Sequence, residues 1–203
     1  MKKTIDLDQW MTSFIQEIED HTKYLNGLDT AIGDGDHGDN MNTGVTKLDE
    51  YIDMHIKSSK RTLEDAKELF NIMSVVFLSN IEGASGPLYA AAFKRMAEVW
   101  DEEDYSLSQI IKAGAEAIAN LGEADFGDKT MLDVWHKIPE LIEADELTNE
   151  KIDQLVADTE NRLAVWGRAS YFGPRSIGHI DPGAQSSAYF FKALIRGLET
   201  ITG

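Results

Sequence analysis

Apolar residues recur along this chain at the three- and four-residue intervals of an α-helix, and no long stretch alternates apolar and polar residues as a half-buried β-strand would. Two apolar stripes show the helical spacing most clearly. Their members are Trp10, Met11, Phe14, Ile15 and Ile18 in the first, and Leu69, Phe70, Ile72, Met73, Val76 and Phe77 in the second. The pattern predicts an all-α fold in which both stripes face a core.

Local signals place the starts of two helices. Thr62 followed by Asp65 resembles a capping box, and Asp181 before Pro182 supplies an N-cap and a residue suited to the first helical turn. Further helices are predicted over residues 41–57, 87–104, 106–121, 129–143, 149–170 and 182–201. No repeat or linker separates these segments, so we expect about eight helices in one domain over residues 1–203.

The charge of the chain excludes several classes of partner. Its 36 acidic and 19 basic residues give a formal net charge of −17, which disfavours binding to nucleic acid or to an anionic membrane surface. The first residues lack the apolar stretch of a signal peptide, and no apolar run approaches bilayer length, so we expect a cytoplasmic protein. Cysteine is absent, so a bound metal would have oxygen or imidazole ligands, as Mg²⁺, Ca²⁺ and Mn²⁺ do.

Residues 28–40 carry an unusual concentration of acidic side chains. The segment LDTAIGDGDHGDN contains four aspartates and three glycines between two helical patterns. Carboxylates about 4 Å apart repel by roughly 4 kcal/mol near a protein surface, and a divalent cation relieves that repulsion. The segment therefore predicts a metal site. An exposed turn rich in aspartate is the alternative.

Other motifs fit the chain poorly. Gly33, Gly35 and Gly38 match the dinucleotide pattern GxGxxG, but no strand precedes them and the intervening aspartates would repel a pyrophosphate. An EF-hand loop beginning at Asp34 would place Val45 where a glutamate is required. Residues 125–127 read DFG without the other protein kinase motifs, and the Walker phosphate loop is absent.

Two further connections have features of phosphate-binding loops. Residues 82–89, EGASGPLY, place small residues and a proline at a predicted helix start, where backbone N–H groups are free to bind an anion. Residues 167–184 contain four glycines and two arginines, and Arg175 is the more suitable phosphate ligand. The alternatives are an ordinary interhelical turn for the first segment and surface ion pairs for both arginines.

Four segments, in order, resemble the nucleotide-binding (L) subunit family of bacterial dihydroxyacetone kinases. They are GDGDHGDNM at 33–41, GASGPLY at 83–89, GDKTMLD at 127–133 and GRASYFGPRSIGHIDPGA at 167–184. The resemblance implies a barrel of eight antiparallel helices, with the nucleotide held by the interhelical loops at one rim. It also implies a phosphotransferase that acts together with a substrate-binding subunit.

The resemblance assigns residues to the site. The implied metal ligands for two Mg²⁺ ions are Asp29, Asp34 and Asp36. The implied contacts of ADP or ATP are His37, Gly38, Asp39, Asn40, Ala84, Ser85, Gly122, Met131, Arg175, Asp181, Pro182 and Gly183. Arg175 is also the candidate for stabilising the transition state. We assign no catalytic base, because phosphoryl transfer depends mainly on positioning and charge neutralisation.

The implied reaction uses ADP as a bound coenzyme. A phosphohistidine on a phosphotransferase-system subunit would phosphorylate the ADP, and the resulting ATP would phosphorylate dihydroxyacetone on a partner subunit. Glu82, Ala90 and Asp39 depart from the family pattern, which usually has small residues there. These departures leave open a kinase subunit for another hydroxyketone or sugar, a non-catalytic nucleotide-binding regulator, or a Ca²⁺-dependent structural module.

Overall fold

The structure is a computed structural model that describes residues 5–55, 66–100 and 105–199. These residues contain nine α-helices, one 3-10 segment and no strand, which confirms the all-α prediction for the described part of the chain. The helices are α1 Leu7–Ile32, α2 His37–His55, α3 Ala66–Asn80, α4 Ser85–Trp100, α5 Leu107–Gly122, α6 Leu132–Trp135, α7 Ile138–Glu143, α8 Asn149–Ala157 and α9 Pro182–Glu199, and the 3-10 segment is Arg168–Ser176. The capping signal at residues 62–65 lies outside the described residues.

The helices form a closed ring of contacts. Each of α1 to α4 contacts the next helix along the chain, and α5 contacts α6 and α7. Helix α6 contacts α8, α8 contacts α9, and α9 packs along α1. This closed ring agrees with the barrel that the resemblance implies. None of the described helices is both long and apolar enough to cross a lipid bilayer.

Aromatic side chains fill the centre of the molecule. The ring of Phe190 in α9 lies 4.9 Å from that of Trp10, 5.3 Å from that of Phe93 and 5.6 Å from that of Trp135, and all four side chains are fully buried. Such contacts combine a large buried apolar area with favourable ring geometry. Both predicted stripes face this core, although Ile72 is only partly buried.

The predicted helix over 129–143 is wrong at residues 129–131 and is interrupted at residues 136–137. Residues before Leu132 form a turn, because the carboxylate of Asp133 accepts the backbone N–H groups of Gly127 and Thr130, each at 2.7 Å. The break between α6 and α7 precedes Pro139, which has no N–H to continue a helix and fits in the first turn of α7. This break raises the helix count from the predicted eight to nine within the described residues.

The predicted helix over 149–170 is also wrong in its second half. Helix α8 ends at Ala157, and residues 158–167 form turns before the 3-10 segment. The Lys129 ammonium group takes the backbone carbonyl groups of Thr159 and Glu160 as acceptors, at 2.8 and 3.3 Å. Gly167 then adopts a φ of 66°, which a helix does not allow. A tertiary contact and a glycine therefore override the helical periodicity.

The end of α1 and the start of α2 differ from the prediction, and both lie at the acidic segment. Helix α1 continues to Ile32, so Asp29 is in a helix and not in a loop. Helix α2 begins at His37, so only residues 33–36 connect the two helices. This short connection brings the acidic segment directly to the start of α2.

Candidate functional site

The ends of several helices surround a cavity of about 580 Å³, a volume typical of small-molecule sites. One side is formed by the end of α1 and the first turns of α2 and α4. The other side is formed by three segments, namely residues 129–131, 166–169 and 181–183. The end of α5 closes the cavity with the apolar side chains of Ile118 and Leu121.

Asp29 fastens the connection between α1 and α2. Its Oδ2 atom accepts the backbone N–H groups of Gly35 at 2.8 Å, Asp36 at 3.0 Å and His37 at 3.3 Å. Gly33 packs directly on this carboxylate, since a Cβ atom there would lie 2.0 Å from Asp29 Oδ1. The carboxylate therefore fixes the loop and satisfies N–H groups at the start of α2.

Three carboxylates meet at this connection. One oxygen atom each from Asp29, Asp34 and Asp36 lies within 4.8 Å of the others. Partial desolvation and the neighbouring carboxylates of Asp34 and Asp29 raise the pKa of Asp36 above its ordinary value, while a hydrogen bond with Asn40 opposes this. An all-oxygen set of this kind suits a hard divalent cation. The structure thus brings the three predicted metal ligands together.

His37 connects the acidic loop to the interior. Its Nε2 atom lies 3.0 Å from Ser186 Oγ, and its Nδ1 atom lies 3.2 Å from Ser85 Oγ at the start of α4. Burial lowers the pKa of His37 to about 4, although the Asp29 carboxylate acts in the opposite direction. The imidazole is therefore neutral at pH 7.

Behind His37 the hydrogen bonds continue into the core. The Tyr89 hydroxyl lies 2.8 Å from Ser186 Oγ and 3.0 Å from Ser187 Oγ, and Trp135 Nε1 donates to Ser187 Oγ at 3.0 Å. All four side chains are buried, and burial raises the pKa of Tyr89. The apolar periodicity of α9 did not predict these contacts. The signal in the sequence is the pair of serines among apolar residues.

The opposite side of the cavity depends on a buried lysine. Lys129 is 1% exposed, has a φ of 63°, and donates from Nζ to the carbonyl groups of Thr159 at 2.8 Å, Glu160 at 3.3 Å and His179. Burial lowers the pKa of Lys129, and the nearby carboxylates, first that of Asp181, oppose this. One ammonium group thus joins three segments of chain.

Asp181 is the second buried charged group on this side. Its Oδ2 atom accepts the backbone N–H of Ala184 at 2.7 Å in the first turn of α9, as the predicted N-cap requires. Burial raises the pKa of Asp181 to about 7, while the Ala184 hydrogen bond opposes this effect. The carboxyl group therefore releases its proton at a much higher pH than an ordinary aspartate.

Comparison with known proteins decides the family. Residues 31–196 match the model of the DAK2 domain. The chain belongs to the DAK2 family.

Relatives of this DAK2 chain match it over more than nine-tenths of its length. It is 39% identical over 193 residues to the PTS-dependent dihydroxyacetone kinase, ADP-binding subunit DhaL, of Lactococcus lactis, covering 95% of this chain and 97% of that one. It is 34% identical over 200 residues to the PEP-dependent dihydroxyacetone kinase, ADP-binding subunit DhaL, of Escherichia coli, covering 91% and 92%. These values confirm the resemblance stated above.

A solved structure confirms the fold. The dihydroxyacetone kinase of C. freundii in complex with AMP-PNP and Mg²⁺ superposes with a TM-score of 0.72 at 21% identity. The match covers 92% of this DAK2 chain but 33% of the kinase. The fold of the DAK2 chain is therefore that of about one third of the longer protein.

Most of the residues predicted for the site line the cavity. They are Asp29, Asp34, Asp36, His37, Asn40, Ala84, Ser85, Gly122, Met131, Asp181, Pro182 and Gly183. Gly38, Asp39 and Arg175 are not among the lining residues. Gly38 instead packs on α1, where a Cβ atom would lie 2.0 Å from the carbonyl oxygen of Thr22, and the Arg175 guanidinium lies exposed over the Phe172 ring at 5.6 Å.

The structure also places residues in the cavity that the sequence reasoning did not assign. Arg168 lines it and forms an ion pair with Asp34, whereas the prediction favoured Arg175. Lys129 also lines the cavity, and its position within the GDKTMLD segment is the sequence signal that could have assigned it to the site. Of the departures from the family pattern, Glu82 lines the cavity, and Ala90 is buried, where its carbonyl group accepts a hydrogen bond from Ser74.

Proposed function

We propose that this chain is the ADP-binding subunit of a phosphoenolpyruvate-dependent dihydroxyacetone kinase. The bound ADP accepts a phosphoryl group from a phosphohistidine of a phosphotransferase-system protein, and the ATP formed phosphorylates dihydroxyacetone on a partner subunit. The relatives that carry this name match over more than nine-tenths of this chain. The observation that carries the proposal is the convergence of three carboxylates and two helix N-termini on one cavity.

The cavity needs additional positive charge to hold a diphosphate. Of the described residues that line it, Lys129 and Arg168 are the cations, and the Lys129 ammonium is already bound to carbonyl groups. Two Mg²⁺ ions held by Asp29, Asp34 and Asp36 would supply positive charge to the phosphate oxygens. Backbone N–H groups at the start of α4 and the Arg168 guanidinium would orient the same oxygens.

The apolar side of the cavity suits the adenine ring. Met131 is buried against Gly183, where a Cβ atom would lie 3.2 Å from Met131 Cβ. Leu121 and Gly122 lie at the end of α5 on the same cavity. We propose that these residues hold the base while the acidic connection holds the phosphates.

A second candidate function rests on Glu82. This glutamate lines the cavity next to the Gly83–Ser85 segment, where the family pattern has a glycine. A carboxylate beside a phosphate site disfavours binding of a further anion. It therefore supports a regulator that binds a nucleotide without catalysis, or a kinase subunit with a different hydroxyketone or sugar acceptor.

Reconstitution distinguishes these functions. Purified protein is denatured and the released nucleotide is quantified, and native protein is mixed with a dihydroxyacetone-binding subunit and either ATP or a phosphorylated phosphotransferase-system donor. We expect about one ADP per chain and dihydroxyacetone phosphate formation with the phosphorylated donor. Bound ADP without any phosphoryl transfer would favour the regulator, and transfer only to another acceptor would favour the paralogous kinase.

A further inference from the structure

A continuous chain of hydrogen-bonding side chains joins the core to the cavity. It runs through Trp135, Ser187, Tyr89, Ser186, His37 and Ser85. A branch leads from Ser186 Oγ to the carbonyl oxygen of Gly183 at 3.1 Å. Counting the branch there are six contacts, and the six side chains supply six hydrogens when the imidazole is neutral. Each contact therefore has one hydrogen available.

The direction of each bond in the inner part of the chain follows from chemistry. The carbonyl group of Gly183 can only accept, so the Ser186 hydroxyl must donate to it. The contact between Tyr89 and Ser186 then requires the Tyr89 hydrogen. Ser187 accordingly donates to Tyr89 and accepts from Trp135, whose indole N–H is only a donor.

The outer part of the chain is then also determined. Because Ser186 has used its hydrogen, its contact with His37 requires a hydrogen on Nε2. The neutral ring carries one hydrogen, so Nδ1 is an acceptor, and the remaining contact requires the hydroxyl hydrogen of Ser85. The Nδ1–H tautomer would leave two of the six contacts sharing one Ser186 hydrogen.

We infer that Ser186 is a positioning residue of the site, which holds His37 in its Nε2–H tautomer and thereby commits the Ser85 hydroxyl hydrogen to His37. Ser85 lines the cavity, so it presents its oxygen lone pairs there as an acceptor. Phosphate oxygens near α4 are then bound by backbone N–H groups and not by the Ser85 hydroxyl. The effect of Ser186 on a nucleotide rests on the proposed function, whereas the tautomer does not.

The chain offers a matched pair of variants. Ser186→Ala and Ser187→Ala each remove one fully buried hydroxyl from adjacent positions of α9, but the Ser187 hydroxyl bonds to Tyr89 and Trp135 and not to His37. Long-range ¹H–¹⁵N correlation spectra of the imidazole groups report which ring nitrogen carries hydrogen. The protein has five histidines, and the His37→Gln variant identifies the His37 signals by their loss.

In metal-free and nucleotide-free protein at pH 7.5 we expect the Nε2–H pattern for His37. Ser186→Ala should change it to the Nδ1–H pattern, with Ser85 as the new acceptor, and Ser187→Ala should retain the original pattern. At saturating Mg²⁺ the ADP affinity of Ser186→Ala should rise about fivefold above that of Ser187→Ala, because the released Ser85 hydroxyl hydrogen can then donate to a phosphate oxygen.

The tautomer, the positioning role of Ser186 and the proposed function are tested separately by these measurements. An Nδ1–H pattern in the unsubstituted protein, or an unchanged pattern in Ser186→Ala, would overturn the assignment of the tautomer. A changed tautomer with equal ADP affinities in the two variants would overturn the positioning role. Predicted tautomers in a protein that binds no ADP under any condition would support the tautomer and contradict the proposed function.

Discussion

The two sides of the cavity are held in place by different means. The helical side consists of residues 29–40 and 82–88, where helix ends meet and backbone N–H groups are bound by the neighbouring Asp29 carboxylate. The turn side consists of residues 129–131, 166–169 and 181–183. There the Lys129 ammonium binds carbonyl groups that lie 30, 31 and 50 residues away along the chain.

This difference has consequences for stability and for the fold of each side. The helical side shares the apolar core, so it retains most of its packing when one polar contact is lost. The turn side has fewer regular backbone hydrogen bonds, and a single buried charge joins its residue 129 to residues 159–160 and 179, which lie in the connections leading to its other two segments. Loss of that charge removes the donor that these carbonyl groups share, and removing one partner of a buried charged contact is strongly destabilising.

The largest effect is expected for Lys129→Met. The substitution keeps most of the side-chain volume but removes the ammonium donor to all three carbonyl groups. Those of Thr159 and Glu160 still accept from the backbone N–H groups of Arg162 and Gly178, whereas His179 loses the lysine as its donor. We expect the free energy of unfolding to fall by about 3 kcal/mol in urea titrations. Lys47→Met, at an exposed ion pair with Glu50, should change it by less than about 0.5 kcal/mol.

On the helical side, Asp29→Ala is expected to have the next largest effect. It removes the acceptor for three backbone N–H groups, so the free energy of unfolding measured in EDTA should fall by about 2 kcal/mol. Asp34→Ala should stay within about 0.5 kcal/mol, because Asp34 is exposed. An equal fall in the free energy of unfolding in the two variants would contradict a specific stabilising role for the hydrogen bonds to Asp29.

Asp181 provides a pH-dependent comparison. Its folded-state pKa of about 7 lies above the unfolded value, so the folded chain binds more protons at this group. The contribution of Asp181 to the free energy of unfolding therefore falls as pH rises from 5.5 to 8, by at most about 1.4 kcal/mol per pH unit. The lowered pKa of His37 makes the free energy of unfolding rise with pH below pH 6.5, but this contribution is the same in the unsubstituted protein and in the variant Asp181→Asn. In parallel urea titrations the free energy of unfolding of the unsubstituted protein should therefore fall relative to that of Asp181→Asn as pH rises from 5.5 to 8. A difference between the two proteins that stays constant with pH would contradict the buried ionisation.

The smallest effect on stability is expected for Arg168→Gln, which removes an exposed ion pair with Asp34. The free energy of unfolding should change by less than about 0.5 kcal/mol. In nucleotide-free protein, however, Mn²⁺ should bind a few-fold tighter by calorimetry, because the guanidinium no longer neutralises Asp34. Arg95→Gln, at an exposed ion pair with Glu98 on α4, should leave Mn²⁺ binding unchanged.

The helical side was largely predictable from the sequence because its signals are local. Alternating aspartate and glycine at 33–36 indicated a compact acidic turn, and the small residues before Pro87 indicated a helix start near an anion site. The exact end of α1 was not predictable, because Asp29 and Ile32 fit a helix and a loop equally well. Three backbone hydrogen bonds to Asp29, visible only in the structure, decide this point.

The turn side was poorly predictable because its determinants are distant in sequence. The apolar spacing over 149–170 indicated a helix, but Lys129 binds the carbonyl groups that would have continued it. The role of Arg175 stays a prediction, and the place of Arg168 on the cavity was not predictable for the same reason, since it depends on a tertiary contact with Asp34. Periodicity carries no information about such contacts.

The central claim is that Asp29, Asp34 and Asp36 coexist in one short connection because they bind divalent cations between themselves and a diphosphate. Calorimetric titration of Mg²⁺ and ADP into the Asp34→Ala/Asp36→Ala double variant tests this most directly, with Asp39→Asn as the control outside the cavity. We expect the folded double variant to lose at least about 100-fold in affinity for Mg²⁺ and to retain no ADP. Unchanged Mg²⁺ uptake and ADP retention in a folded double variant would contradict the claim.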